Sequence, residues 1–426
     1  MPDIGLLADL FSTAVKAADP MTALAQHLPE KPKGRTVVIG AGKGAAQLAQ
    51  AFETLWDDPV SGVVVTRYGY GTECKQIEII EAAHPVPDDA GLFATEALMA
   101  AVKNLGVDDL VVALICGGGS ALLPSPPNGL TLADEQALNE VLLASGAPIS
   151  VMNAIRKNVS GIKGGRLAKL AHPARVVSLI VSDVPGDDPA QVASGPTVPD
   201  HVTREQALQL IESLGLSLPK EIVAHIRKPS AAAPPPYDPA FEGNDVKIIA
   251  SAGTSLAAAA AQAEAQGIPS VILSDAIEGE AREIAKMHAA IALEVRAKDQ
   301  PFTRPVLILS GGETTVTLRG KGKGGRNTEF LLAFAQAIDG VDGILALAAD
   351  TDGIDGSEDN AGAFVDGTTC ARLRAAGRNP AEDLMNNDAF SAFETLGDLF
   401  SPGPTGTNVN DFRAILVRQR SAAPAL

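Results

Sequence analysis

Short apolar runs alternate with longer stretches of helical spacing along most of the chain. Residues 36–39 and 109–116 are rich in Val, Ile, Leu and Ala, which is typical of strands buried on both faces of a parallel sheet. Residues 44–56 and 92–105 have the spacing and length of helices. This alternation predicts an α/β fold whose first domain is a doubly wound, mostly parallel, Rossmann-like sheet.

A proline-rich segment at residues 229–236 interrupts the alternation. Its composition predicts a stiff, polyproline-like connector between domains. We therefore predict an N-terminal domain over residues 1–232 and a smaller C-terminal α/β domain over residues 240–399. The apolar run near the end of the chain could return to the first sheet, so residues 400–426 are assigned provisionally to the N-terminal domain.

Composition narrows the classes of partner. The 426 residues are 46% hydrophobic and contain 34 Lys and Arg against 51 Asp and Glu, a net charge of −17. Such a charge repels nucleic acid and anionic membranes, and no apolar run reaches the ~18 residues needed to cross a bilayer. Three scattered cysteines fit a reducing cytoplasm. We expect a cytoplasmic protein with small-molecule ligands, and leave open whether it forms a homo-oligomer.

The first predicted strand ends in the turn GAGKGA at residues 40–45. Glycines at Gly42 and Gly44 let backbone amides approach a phosphate, and Lys43 places an ammonium among them. The same turn fits the dinucleotide pattern GxGxxA, which expects an acidic residue about twenty positions later. Arg67 stands near that place instead, which disfavours NAD but would suit the 2′-phosphate of NADP.

The fourth predicted strand ends in a run of three glycines and a serine. Gly117, Gly118, Gly119 and Ser120 form an anion-binding nest with a hydroxyl donor, although a plain strand-to-helix turn would look similar. Asp183 ends the fifth strand and is a candidate ligand for a metal or a substrate hydroxyl. Ligands of open α/β sheets bind at this edge.

The segment 156–166 carries four cations in eleven residues of an acidic protein. Lys157, Asn158 and Arg166 are candidate substrate-binding residues for a carboxylate or phosphate. The alternative is a solvated basic helix face, which is the commoner reason for such a run.

A second glycine-rich loop lies at residues 320–327 and contains three cations. Gly324, Gly325 and Asn327 are predicted to surround a phosphate, and Arg326 to stabilise its charge. Glu313 follows another strand-terminal Gly-Gly pair and joins this predicted phosphate-binding group.

Three aspartates follow the apolar run 344–349 at a probable strand end. Asp350, Asp352 and Asp355 could hold Mg²⁺ directly or through water, since Mg²⁺ usually takes one or two carboxylates and completes its shell with water and phosphate. Together with the glycine-rich loop they suggest phosphoryl transfer.

These motifs, in chain order, resemble those of class II glycerate 2-kinases. The resemblance rests on IGAGKG (39–44), AHPVPD (83–88), CGGGSALL (116–123), KNVSGIKGGR (157–166), SDVPGD (182–187), GGET (311–314), GGRN (324–327), DTDGIDG (350–356) and GPTGTN (403–408). It implies two α/β domains facing a cleft, ATP and a divalent metal such as Mg²⁺ as cofactors, and conversion of D-glycerate to 2-phosphoglycerate. Lys43 and Arg326 would stabilise the transferred phosphoryl group.

Two other functions stay open from the residues. Some members of this family carry the name hydroxypyruvate reductase, and the turn at residues 40–45 with Arg67 would serve an NADP-dependent enzyme of that kind. A non-catalytic module that binds a ligand between hinged domains is the second alternative.

Overall fold

The computed structural model describes residues 2–419, which form two compact units. One unit comprises residues 20–249, and the other comprises the residues before 20 together with those from 250 onward. Each unit has its own six-stranded sheet. Among residues 2–419 there is no helix long and apolar enough to span a membrane.

The strands are numbered in chain order. They are Thr36–Ala41 (β1), Val60–Arg67 (β2), Ile77–Ala82 (β3), Leu110–Cys116 (β4), Arg175–Val181 (β5), Asp245–Ala250 (β6), Ser270–Ile272 (β7), Gly279–Glu280 (β8), Val306–Gly312 (β9), Thr314–Thr315 (β10), Ile344–Asp350 (β11), Gly362–Asp366 (β12), Leu399–Phe400 (β13) and Asp411–Val417 (β14).

The α-helices are numbered in the same way. They are Pro2–Ala17 (α1), Pro20–Ala25 (α2), Ala45–Leu55 (α3), Asp89–Ala101 (α4), Gly119–Leu122 (α5), Leu132–Ala144 (α6), Ile149–Arg156 (α7), Arg166–Ala171 (α8), Arg204–Ser213 (α9), Lys220–Ile226 (α10), Ala252–Ala265 (α11), Ala281–Lys298 (α12), Arg326–Ala337 (α13), Thr369–Ala375 (α14), Pro380–Met385 (α15) and Ala389–Leu396 (α16).

The first unit contains a six-stranded sheet in the order β3-β2-β1-β4-β5-β6. The pairs β3–β2, β2–β1, β1–β4 and β4–β5 are all parallel. Every residue of β1 and β4 is buried, which explains why both strands are continuous apolar runs in the sequence. The predicted Rossmann-like sheet is confirmed, and its strand order reverses between β1 and β4, where such sheets bind ligands.

Alternate strand residues build the core of this unit. On one face of the sheet Val37 and Ile39 of β1 cluster with Val111 and Ala113 of β4, and Leu98 of α4 covers them. Burying each large aliphatic side chain contributes roughly 1.5–3 kcal/mol. The central strands therefore fix the loops at their carboxyl ends within a rigid frame.

The second unit contains a mixed sheet in the order β13-β12-β11-β14-β9-β7. β14 lies in its centre and runs antiparallel to both β11 and β9, while β7 runs parallel to β9. A separate pair of short parallel strands is formed by β8 and β10. All seven residues of β14 are buried, as a central strand with both faces covered requires.

Helix α1 belongs to the second unit although it begins the chain. Its residues Leu7, Leu10, Phe11 and Ala14 recur at helical spacing, and all four are fully or almost fully buried. They pack in one cluster with residues of α11 and of the strands β9, β11 and β14. The ring of Phe11 meets that of Phe412 edge to face with centroids 5.8 Å apart.

The observed boundaries differ from the predicted division at residues 232 and 240. The proline-rich segment lies inside the first unit, and the chain leaves that unit only after β6, which extends the first sheet beside β5. The provisional return of residues 400–426 to the first sheet is corrected, because β14 pairs with β11 and β9. Residues 420–426 of that range lie outside the described residues.

Candidate functional site

The loops after β1 and β4 meet at the point where the strand order of the first sheet reverses. The backbone N–H of Lys43 donates a hydrogen bond of 2.9 Å to the carbonyl oxygen of Gly117. Lys43 follows β1 by two residues and Gly117 follows β4 directly. The structure thus brings together two of the segments predicted to bind phosphate, in the crevice where open α/β sheets bind their ligands.

Two glycines make this close approach possible. Gly42 has φ +136°, and a Cβ there would collide with the backbone and Sγ of Cys116. Gly118 has φ +80°, and a Cβ there would lie 2.9 Å from Cγ of Lys43. A side chain at either position would be strained, and one at Gly118 would also press on the side chain of Lys43. The amide of Gly44 donates to Cys116 Sγ over 3.3 Å.

Asp183 and Ser120 also lie near the carboxyl ends of the strands of the first sheet. The carboxyl group of Asp183 lies directly against Gly117, where a Cβ would collide with it. Ser120 Oγ lies 2.8 Å from Ser194 Oγ, which in turn donates to Asn153 Oδ1 over 2.9 Å. Ser194 is fully buried with φ +59°, so the surrounding fold holds this non-glycine residue in a left-handed conformation. No local pattern in the sequence marks it.

His84 was quoted only as part of a motif and received no predicted role. It follows β3 by two residues, and its Nε2 would lie 3.2 Å from a Cβ on Gly118. Burial, reinforced by the positive charges of Lys43 and Arg67, lowers the pKa of His84 to about 4. A histidine two residues beyond a strand end was the signal that could have identified it.

The predicted substrate-binding residues of the segment 156–166 are engaged with other parts of the first unit. Lys157 is 2% exposed and forms an ion pair with Asp200. The amide group of Asn158 donates to the Ala154 carbonyl over 2.8 Å. Their roles as substrate ligands stay predictions, because a substrate carboxylate would compete with these contacts.

Arg166 donates to backbone carbonyl groups rather than to a carboxylate. Its acceptors include Lys157 and Ala231, each at 2.7 Å. Burial lowers the pKa of Arg166 to about 10. The guanidinium therefore ties the segment to the rest of the unit, and its role as a substrate ligand also stays a prediction.

In the second unit, three carboxylates surround the guanidinium of Arg326. Its Nε donates to Asp411 over 2.7 Å, Nη1 to Glu313 over 2.7 Å and Nη2 to Asp350 over 2.6 Å. Burial disfavours the charge of Arg326, but Asp411, Asp350 and Glu313 outweigh it and raise the pKa of the guanidinium. Glu313, predicted to join the phosphate-binding group, faces this cation, and its role toward phosphate stays a prediction.

Asp411 and Arg413 form the buried centre of this group and were not predicted. Asp411 accepts from Arg326 and from Asn327 Nδ2, the latter over 2.8 Å, and forms an ion pair with Arg413. Both side chains of that pair are fully buried. The signal was present in the sequence, because two opposite charges two residues apart interrupt an otherwise apolar strand.

Asp355 occupies the N-terminus of α13. Its carboxylate accepts from the backbone amides of Asn327 and Thr328 at 2.9 and 2.8 Å, and a Cβ on Gly325 would collide with it. Burial raises the pKa of Asp355 to about 6, although these hydrogen bonds act in the opposite direction. A phosphate at this helix end would have to compete with the carboxylate already there.

The glycine-rich loop before α13 is fastened to a neighbouring segment. The amides of Lys321 and Gly322 donate to the side-chain and backbone oxygens of Asn386, and the amide of Lys323 donates to Asp388. Gly324 follows, next to the start of α13. Among the residues predicted to surround a phosphate, the amide of Gly325 donates to Thr328 Oγ1 and that of Asn327 to Asp355, each over 2.9 Å, so both already have acceptors in the protein.

The aspartates predicted as metal ligands do not converge on one point. Asp350 faces Arg326, Asp355 faces α13, and Asp352 Oδ1 accepts from the amide of Ile354 over 2.8 Å. Burial raises the pKa of Asp350 well above its ordinary value, although Arg326 opposes this. Within residues 2–419 there is no group of three or more His, Cys, Asp or Glu arranged to hold a metal ion. The donors fit one or two carboxylate ligands rather than a protein cage.

Two family models match the chain. Residues 6–227 match a domain of unknown function, DUF4147, and residues 306–411 match the MOFRL family. The two matches fall on either side of the proline-rich segment, and the second contains Glu313, Arg326 and Asp411.

Full-length relatives carry two kinds of name. The chain is 51% identical over 419 residues to a protein of Agrobacterium vitis whose name, hydroxypyruvate reductase, is given only as provisional, with 97% of this chain and 94% of that protein covered. It is 37% identical over 408 residues to the D-glycerate 2-kinase of Thermotoga maritima, covering 95% and 96%. A crystal structure of glycerate kinase from Thermotoga maritima superposes with a TM-score of 0.89 at 36% identity, covering 97% and 99%.

Proposed function

The chain belongs to the glycerate kinase family and is an enzyme of the kinase class, and from this premise we propose that it phosphorylates D-glycerate to 2-phosphoglycerate with ATP. The observation that carries the proposal is the hydrogen bond that joins Lys43 to Gly117 at the reversal of the strand order. It sets an ammonium-bearing side chain beside a glycine turn, which is an arrangement suited to phosphate groups.

The loops of the first unit would bind the phosphates of ATP. Backbone amides of Gly117 to Ser120 would donate hydrogen bonds to the phosphates. The ammonium of Lys43 would stabilise the negative charge on the phosphoryl group during its transfer. Phosphoryl transfer depends mainly on positioning and electrostatics, so a rigid turn beside a fixed cation accounts for much of the expected rate enhancement. Lys43 forms no salt bridge with any residue in the range 2–419, so no carboxylate there competes with a phosphate for its ammonium group.

Arg326 retains donors for a second anion. A guanidinium carries five N–H donors, and the three carboxylates around Arg326 take one each from Nε, Nη1 and Nη2. One N–H on each Nη has no acceptor among these three carboxylates and could serve a phosphate or carboxylate. Lys43 and Arg326 lie in different units, and their joint action on one phosphoryl group stays a prediction.

Mg²⁺ would accompany ATP rather than occupy a preformed cage. It would supply positive charge to the phosphates when bound. The candidate ligands are Asp183, beside the glycine turn of the first unit, and, separately within the second unit, Asp350 or Asp352. The protein's own part is to orient the phosphates with Lys43 and the glycine turn.

Product analysis of the purified full chain tests this function directly. With ATP, Mg²⁺ and D-glycerate, phosphorus NMR should show 2-phosphoglycerate, whose resonance differs from that of 3-phosphoglycerate. Lys43→Ala should lower kcat by ~10²-fold or more, while Lys103→Ala, an exposed lysine of the same unit, should not. Formation of 3-phosphoglycerate, or no consumption of ATP, would contradict the proposal.

The name of the Agrobacterium vitis relative supports a second candidate, an NADP-dependent reductase of hydroxypyruvate. The loop at residues 40–45 and Arg67 at the end of β2 lie where such a cofactor would bind. Oxidation of NADPH by the purified chain with hydroxypyruvate, followed by absorbance, would favour this function. The kinase proposal predicts no such oxidation.

A further inference from the structure

His84 places an imidazole over the glycine turn that follows β4. A Cβ on Gly118 would lie 3.2 Å from His84 Nε2 and also 3.2 Å from Lys43 Cε. The two side chains are therefore no further apart than the sum of those distances. His84 comes from the loop after β3, two strands away from β1 in the sheet, yet its ring lies beside the side chain of the proposed phosphate-binding lysine.

The surroundings of the ring keep it neutral. Burial is the main cause, and the positive charges of Lys43, in the loop after β1, and Arg67, at the end of β2, add to it. The phosphates of bound ATP would offset these two cations and so make the ring a better proton acceptor. Two carboxylates belong to neighbouring loops: Asp183 follows β5 and lies against Gly117 of the glycine turn, and Asp88 caps α4. A neutral imidazole has one ring nitrogen with a free lone pair, which can take a proton.

The proposed reaction needs such an acceptor. A bond forms between the γ-phosphorus of ATP and the acceptor oxygen, and the bond from that phosphorus to the β–γ bridging oxygen breaks, so ADP leaves with the electron pair. The hydroxyl proton of the acceptor must then go elsewhere. Resting on the proposed function, we infer that His84 is a catalytic residue whose Nε2 takes this proton.

An imidazole suits this position better than a carboxylate. The carboxylate of Asp183 already lies against Gly117, and a second one beside Lys43 would add further negative charge to a turn that binds phosphates. A neutral ring accepts the proton without repelling the substrate beforehand. Asp183 is the competing acceptor, and the substitution that separates the two is one at His84 alone.

The test is steady-state kinetics of the full chain with His84→Gln and His84→Ala. Glutamine can still form hydrogen bonds but cannot take the proton, so both variants should lose kcat by about 10²–10⁴-fold with similar KM for ATP. His172→Gln is the matched control, because His172 also precedes a proline but is exposed. A kcat of His84→Gln within about threefold of the unaltered enzyme would overturn the inference.

A second measurement does not depend on activity or on the folding of a variant. In the unaltered chain, NMR titration of the His84 ring with and without tripolyphosphate should show its pKa rising when the anion binds, because the phosphates offset Lys43 and Arg67. Saturating tripolyphosphate that leaves the titration unchanged would overturn the placement of His84. If the unaltered protein is inactive as a kinase, the proposed function falls; if it is active and His84→Gln is equally active, only the role of His84 falls.

Discussion

The three carboxylates around Arg326 should differ sharply in their contribution to stability. Their side chains are exposed by 0% for Asp411, 7% for Asp350 and 52% for Glu313, although all three donor–acceptor distances are 2.6–2.7 Å. Water screens the pair with Glu313, and an exposed ion pair is worth about 0–1 kcal/mol. Glu313→Gln should therefore lower the free energy of unfolding by less than ~1 kcal/mol.

Asp411→Asn should cost much more. It removes the negative charge that faces Arg326 and the fully buried Arg413, and breaking a buried pair by removing one partner costs about 3–5 kcal/mol. The asparagine would also turn an amide donor toward groups that are themselves donors. We expect a loss of that size, several times the loss for Glu313→Gln.

Urea denaturation followed by far-ultraviolet circular dichroism measures both variants. The only tryptophan, Trp56, lies in the first unit, so its fluorescence does not follow the unit that contains these residues. Comparison of the two variants with the unaltered chain at one pH removes most of the error of extrapolation. An equal loss in both variants, or a loss below ~1 kcal/mol for Asp411→Asn, would show that burial does not govern this group.

Three further outcomes follow from single contacts. Arg326→Ala should lower kcat by ~10²-fold or more with a smaller change in KM, and kinetics near those of the unaltered enzyme would refute its proposed role. Gly118→Ala should weaken ATP binding, measured by calorimetry, because its φ is +80° and the added Cβ would press on Lys43. Gly129→Ala is the control, because Gly129 also has a left-handed φ but has open space around it. Equal ATP affinity in the two variants would contradict this prediction. Burial lowers the pKa of His288 to about 4, so the unfolded state binds the proton more readily and the protein should lose stability as pH falls from ~6.5 toward 4. His288→Asn should flatten that slope in urea denaturation, and an unchanged slope would mean that another group causes it.

Much of the first unit could be predicted because its signals are local. A parallel strand buried on both faces is a continuous apolar run, and the run ends where a glycine-rich loop begins, as at Lys43 and Gly117. The carboxyl ends of parallel strands meet at one edge, so a series of such loops predicts a shared site without knowledge of the pairing. The strand order then decides which loops touch.

The second unit was harder because its important contacts join distant residues. Arg326 and Asp411 are 85 positions apart, and no sequence pattern near either residue predicts that the two are in contact. The glycine-rich loop before α13 looked free in the sequence, whereas a segment more than sixty residues later accepts its amide hydrogens. The place of β14 was mistaken for the same reason, since an apolar strand fits either sheet until its neighbours are known.

The charge balance of the two groups of residues suggests which one meets ATP first. Three carboxylates already contact Arg326, and Glu313 is the exposed one of the three, so its displacement would free a further N–H of the guanidinium for an anion. Lys43 has no salt bridge to any described residue, and Arg67 adds a second cation near His84. In a protein with a net charge of −17, a polyanion is captured where local cations are left unneutralised. The loops of the first unit are therefore the expected site of ATP capture, and the exposed Glu313 is the group whose displacement would admit a second anion to Arg326.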